Sequence, residues 1–209
     1  MSEIKVGRMV IGAVQTNCYF LQNTDTNQVI VIDPADKGDK IYEELTRRGY
    51  QVEAILLTHG HFDHIMGVDA LRKLSNAKAY LGEKEEKLIS NADLNVSTMF
   101  GTPYTTTADI LVKDNQILEL AGMKIRVIHT PGHTAGGVSY YLEDQGILFC
   151  GDTLFLESVG RTDFPTSSAA DIKQSIREKL FLLPDDVYVY PGHGPTTTIE
   201  HEKENNPFV

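Results

Sequence analysis

Thr58-His59-Gly60-His61-Phe62-Asp63-His64 follows the apolar run Ala54–Leu57 and precedes the apolar-periodic segment Ile65–Leu74. Residues 59–64 thus hold three imidazoles and a carboxylate between a strand and a helix. Imidazole and carboxylate are the donors that zinc, iron and manganese accept. On extended backbone His59 and His61 point to the same side, because side chains alternate with a period of two. Gly60 between them permits a close backbone approach. Asp63 and His64 then open the helix and are placed to face a second metal position.

Three further apolar runs end in a residue of the same kind. Lys124–His129 leads into Thr130-Pro131-Gly132-His133-Thr134, Ile147–Cys150 into Gly151-Asp152-Thr153, and Val187–Tyr190 into Pro191-Gly192-His193-Gly194-Pro195. Each ligand-type residue lies beside glycine just past a strand, where a rigid sheet can deliver side chains to one place. Together the four segments supply His59, His61, His64, His133 and His193 with Asp63 and Asp152. That set suits two metals sharing one carboxylate. His129, at the end of its strand, reads as a structural or supporting group. His201, near the end of the sequence, reads as solvated.

The chain has 209 residues, of which 41% are hydrophobic and 23% charged, ordinary values for a globular protein with one sizeable core. No apolar run is long enough to span a membrane. The stretch from Met1 to Gln15 lacks the basic and apolar blocks of an export signal, so a cytoplasmic location is expected. Cys18 and Cys150 are then expected as reduced, buried thiols. The net charge of −10 argues against a nucleic-acid partner.

Strands are expected at Ile4–Ile11, Tyr19–Leu21, Val29–Ile32, Ala54–Leu57, Ala77–Leu81, Ile117–Leu120, Lys124–His129, Val138–Leu142, Ile147–Cys150 and Val187–Tyr190. Helices are expected at Lys37–Gly49, Ile65–Leu74, Glu83–Ser90 (charged and exposed) and Ala169–Leu183. Ser97–Asp109 reads as a surface loop. This alternation implies a layered α/β protein with helices covering sheets.

These motifs resemble the metallo-β-lactamase superfamily and, within it, the glyoxalase II (hydroxyacylglutathione hydrolase) group. The resemblance runs through Thr16-Asn17-Cys18-Tyr19, Val31-Ile32-Asp33-Pro34, the block at residues 58–64, His129–Gly137, Gly151-Asp152-Thr153-Leu154-Phe155 and Pro191–Pro195. The group assignment rests on Gly151–Phe155 and on Ser158–Phe164. The resemblance implies one αββα sandwich domain over residues 1–209. It implies one divalent metal on His59, His61 and His133, another on Asp63, His64 and His193, and Asp152 bridging both, with zinc first and iron or manganese also accepted. It implies attack of a metal-bridging hydroxide on a small-molecule thioester such as S-lactoylglutathione, with Asp63 and Asp152 at the reacting centre.

The chain departs from the longer glyoxalase II enzymes in two ways. Residues 194–209 leave no room for their glutathione-holding helical extension, and Arg161 stands where they resemble Gly-Lys. The short form resembles a compact bacterial subgroup. Arg161 is the expected grip for an anionic end of the substrate, set against a simple ion pair with Asp163. Tyr104, Tyr140 and Tyr141 are weighed as pocket walls or as core, and Asp33 as support for a ligand histidine or as a turn residue. Mononuclear iron persulfide dioxygenases of the superfamily share Gly160–Phe164, nucleic-acid phosphodiesterases share the residue 59–64 block, and lactonases or lactam hydrolases are a further alternative. The oligomeric state is left open by the sequence.

Overall fold

The structure, a computed structural model, describes residues 3–209; Met1 and Ser2, part of the N-terminal stretch read above, lie outside it. The first six-stranded sheet runs in sequence order: β1 (Ile4–Ile11), β2 (Thr16–Asn23), β3 (Gln28–Ile32), β4 (Gln51–Leu57), β5 (Lys78–Gly82) and β6 (Ile110–Val112). β1 to β3 pair antiparallel, and β3 to β6 pair parallel. Parallel neighbours need crossovers. The first is α1 (Gly38–Arg47); the second holds α2 (Phe62–Ile65) and α3 (Val68–Ser75). A short α4 (Glu86–Ile89) follows β5.

The second sheet also has six strands. Its sequence elements are β7 (Ile117–Leu120), β8 (Met123–His129), β9 (Val138–Leu142) and β10 (Ile147–Gly151), followed by β13 (Tyr188–Pro191) and β14 (Thr197–Thr198). A two-stranded ribbon, β11 (Leu154–Phe155) with β12 (Ser158–Val159), lies between β10 and α5 (Ala169–Glu178). α5 carries the chain to β13, which pairs parallel with β10. α6 (Ile199–Asn205) closes the described chain.

The period of two sorts the apolar strand residues into layers. Val29, Val31, Ile55 and Leu57 face outward onto Ile41, Leu45, Val68 and Leu71 of α1 and α3. Their neighbours Ile30, Ile32, Ala54 and Leu56 face inward, against Val127, Tyr140 and Phe149 of the second sheet. Leu148, Val189 and Tyr141 face the other way, onto Ile172, Ile176 and Leu180. Four layers result, helix–sheet–sheet–helix, which is the αββα sandwich expected.

Several boundaries differ from the sequence reading, each for a local reason. The helix expected at Ile65–Leu74 starts at Phe62 and breaks at Met66-Gly67, where Gly67 N–H donates to Pro34 O at 2.8 Å and the backbone passes against Gly38. Glu83–Ser90 is a 3₁₀ turn plus one turn of α4, and it is not wholly exposed: Glu85, Leu88 and Ile89 are buried. β6, β11, β12 and β14 have three residues or fewer, too short for a period to show. α6 was not expected; Thr198 caps it by accepting from His201 N–H, and its Glu202 is buried. None of the three tyrosines walls the active cleft. Tyr140 and Tyr141 are core, and Tyr104 donates to Asp69 at 3.0 Å.

Tyr140 also joins the two sheets, since its hydroxyl donates to Leu57 O at 2.9 Å from full burial. Tyr140→Phe removes that donor and leaves a buried carbonyl with one partner fewer. Urea unfolding should show a loss of about 1–2 kcal/mol, or about 2–8 °C in Tm.

Candidate metal centre

All seven predicted ligand residues meet at one edge of the sandwich, at the ends of β4, β8, β10 and β13. Three groups of side chains bring their donor atoms within 4.8 Å of one another: His59, His61 and His133; His59, His64 and Asp152; Asp63, His64 and His193. Asp152 joins the outer two groups. Its Oδ1 lies 3.4 Å from His64 Nε2, and its Oδ2 lies 3.5 Å from both His133 Nε2 and His193 Nε2. Asp63 Oδ2 lies 3.2 Å from His193 Nε2 and 3.5 Å from His64 Nε2.

The outer nitrogens of three imidazoles are committed elsewhere. His64 Nδ1 bonds Asp33 Oδ2 at 2.9 Å, and His133 Nδ1 bonds Arg161 O at 2.9 Å. Thr58 Oγ1 donates to Asp33 Oδ2 at 2.7 Å, so its lone pair is free to accept from His59 Nδ1 at 3.1 Å. With the ring proton on Nδ1, each of these histidines turns an Nε2 lone pair inward. Asp33 governs two of the three, accepts from Thr58 N–H as well, and holds a left-handed backbone (φ 50°). The bonding decides for the supporting role over the turn role.

Three inward atoms lack hydrogen-bond partners: His59 Nε2, His64 Nε2 and Asp152 Oδ1 are all buried and unbonded. His61 turns Nδ1 inward instead, 2.9 Å from His133 Nε2. Burying unsatisfied polar atoms costs on the order of 1–3 kcal/mol each, so three at one point need a physical reason. Converging lone pairs on imidazoles and carboxylates fit divalent cations.

The charges follow from the surroundings. Burial and the neighbouring imidazoles of His64, His61 and His133 hold His59 well below the usual histidine range. Burial, then His133, pushes His61 down to about 3. Burial also works against charge on His64, but the carboxylates of Asp63, Asp152 and Asp33 outweigh it and favour a positive charge there, held by a proton on Nε2 until a cation takes its place. Burial disfavours ionised Asp152, and the imidazoles of His64, His133 and His193 nevertheless hold it well below the usual carboxylate range.

β2 supports the last ligand. Asn17 N–H donates to Gly192 O at 2.7 Å, Asn17 Nδ2 to Pro191 O at 2.9 Å, and Tyr19 Oη to Pro191 O at 2.8 Å. Thr16 Oγ1 donates to Asp63 Oδ2 at 2.9 Å. Thr16 and Asn17 belong to a motif quoted from the sequence, but the sequence did not disclose what they touch. Gly192 is required for space, because a Cβ there would overlap Asp152 Oδ1 and His64 Cε1.

The centre floors a cleft of about 420 Å³. Val14, Phe62, Val96, Phe100, Phe155, Val159 and Phe164 supply its apolar walls; Phe62, Phe155, Val159 and Phe164 lie in motifs quoted from the sequence, but none was read there as a wall. Arg161 lines the rim and is half exposed. Its guanidinium stacks on Phe164 at 3.8 Å and makes a fork-to-fork pair with Asp163 at 2.6 and 2.7 Å. The expected ion pair with Asp163 is therefore formed, on a side chain that lines the cleft. His129 is structural, its Nε2 bonding Ala135 O at 3.0 Å. His201 is not simply solvated, since its Nε2 lies 3.0 Å from Glu157 Oε1. Cys18 and Cys150 are buried and unpaired, and burial raises both thiols.

The metallo-beta-lactamase superfamily matches residues 11–193, and the chain belongs to that family. The "Probable metallo-hydrolase YqgX" of Bacillus subtilis is 38% identical over 208 residues, covering 99% of this chain and 98% of that protein. The "Hydroxyacylglutathione hydrolase GloC" of Haemophilus influenzae is 31% identical over 205 residues and covers 95% of each. Among solved structures, "BLEG-1 B3 metallo-beta-lactamase" superposes with a TM-score of 0.93 at 39% identity, covering 98% of this chain and 99% of that one. No helix among the described residues is long and apolar enough to cross a membrane.

Asp33→Asn keeps the size but replaces an acceptor oxygen with an NH₂ that faces other donors. Divalent-metal affinity, measured by titration against a chelator, should fall about 10–100-fold while the fold persists.

Proposed function

We propose that the chain is a metal-dependent hydrolase of 2-hydroxyacyl thioesters such as S-lactoylglutathione. The observation that carries the reading is Asp152, whose two oxygens reach both donor sets at the floor of a cleft with a cation at its rim. The hydroxyacylglutathione hydrolase relative, similar over nearly the whole chain, supports the substrate class. His59, His61 and His133 would hold one divalent ion, Asp63, His64 and His193 the other, with Asp152 shared. Zinc, iron and manganese all suit these donors. Bound there, the ions supply an ionised water near neutral pH and positive charge against the developing oxyanion.

The remaining work falls to the chain. Asp63, steadied by Thr16, orients the attacking water toward the carbonyl. Phe62, Phe155 and Phe164 exclude solvent around the acyl carbon. Arg161 holds a carboxylate of the substrate in the geometry its Asp163 pair already displays. Among the described residues, the cleft lining has no lysine or tyrosine to act as a general acid. A thioester needs none, since its leaving thiol has a pKa of about 8.5 and departs as thiolate.

Plasma mass spectrometry on the purified protein, with S-lactoylglutathione hydrolysis assayed on the same sample, tests this directly. Two metals per chain with turnover are expected. One iron per chain, no thioester cleavage and oxygen uptake with a persulfide would replace the reading with the dioxygenase one; cleavage of lactones, phosphodiesters or β-lactams alone would replace the substrate class. Asp152→Ala should lose metal and at least about a hundredfold in kcat/KM. Arg161→Ala should raise KM about tenfold with kcat little changed. Asp163→Asn should lower KM by freeing the guanidinium.

A further inference from the structure

Glu85 is a carboxylate with 0% exposure in a charged run of sequence. It ends the 3₁₀ turn after β5 and forms no ion pair among the described residues. Instead its two oxygens accept from two backbone N–H groups. Gly60 N–H donates to Oε2 at 2.9 Å, and Gly136 N–H donates to Oε1 at 2.7 Å. Gly60 is the residue between His59 and His61. Gly136 lies three residues past His133, in the loop that returns to β9. One carboxylate therefore clasps the loop carrying two imidazoles of the first sheet to the loop carrying the third, on the second sheet.

We infer that Glu85 is a positioning residue, which sets His59 and His61 against His133 and so fixes the three-imidazole half of the centre. This rests on the metal-centre reading above. Among the described residues one backbone bond also ties these loops, Val138 N–H to Thr58 O at 2.8 Å, but it lies before the first ligand and leaves the Gly60 peptide unheld. The rings depend on that peptide. His59 and His133 stand edge to face with centroids 4.9 Å apart, and His61 Nδ1 meets His133 Nε2 at 2.9 Å. A shift of either loop changes both distances. The clasp also explains Gly136: a Cβ there would come 2.6 Å from Glu85 N and 2.8 Å from its Oε1.

The bonding requires a carboxylate, because both partners are donors. Glutamine offers one oxygen and one NH₂, so one N–H would face another donor. Glu85→Gln should behave nearly as badly as Glu85→Ala, although it preserves volume. A role in packing alone would spare the glutamine variant.

The test is cobalt(II) titration of the metal-free protein, followed by visible absorption and zinc competition. In Glu85→Gln one of the two ions should bind at least about tenfold more weakly, with an altered spectrum, and the other as in wild type. The thioesterase kcat should fall while KM stays. Wild-type affinity and spectrum at both ions would overturn the inference and leave the function reading intact. Failure of the wild-type protein itself to bind cobalt would overturn both. Should the variants fail to fold, amide exchange in the metal-free wild type decides. Gly60 and Gly136 N–H should exchange as slowly as core-strand amides, and rapid exchange at either would contradict the clasp.

Discussion

The inward direction of the imidazole lone pairs depends on what their outer nitrogens are bonded to. A histidine offers a lone pair at one nitrogen only when the other carries the proton. Asp33 and the carbonyl of Arg161 impose that choice, directly on His64 and His133 and through Thr58 on His59. Remove those acceptors and the same side chains could turn protonated nitrogens toward one another. The buried, unbonded Nε2 atoms are the consequence of this outer ring of acceptors, and the sandwich places the ring.

The fold makes that placement economical. Each ligand lies just beyond a strand whose two faces are packed, so its backbone cannot drift. The double burial of Val29–Ile32 and Ala54–Leu57 anchors Asp33 and the His59–His64 loop side by side at neighbouring strand ends. β10 and β13 do the same for Asp152 and His193 on the opposite sheet. The centre spans both sheets, so interactions that cross the seam, such as Tyr140 with Leu57, bear on the site as well as on stability.

Much of this was readable because it is local. A ligand-type residue beside glycine after an apolar run is a pattern within a few positions, and it marked five of the seven candidate donors; Asp63 and His64 follow within three residues of His61. The resemblance then divided them into two sets, and donor distances group them compatibly. What stayed hidden depends on long-range contact. Glu85 reads as a solvated charge because its partners are 25 and 51 residues away. Val14, Val96 and Phe100 wall the cleft from irregular segments that carry no period. Tyr140 and Tyr141 sit where alternation would allow either pocket or core, and only packing decides. The helix break at Gly67 arises from a tight approach to Gly38, which no local propensity reports.

The most direct test of a centre shared through one carboxylate is anomalous diffraction from metal-loaded crystals. Two ions are predicted: one on His59, His61 and His133, the other on Asp63, His64 and His193, each also touching an oxygen of Asp152. A single ion, or two ions with Asp152 bound to only one of them, would contradict the account.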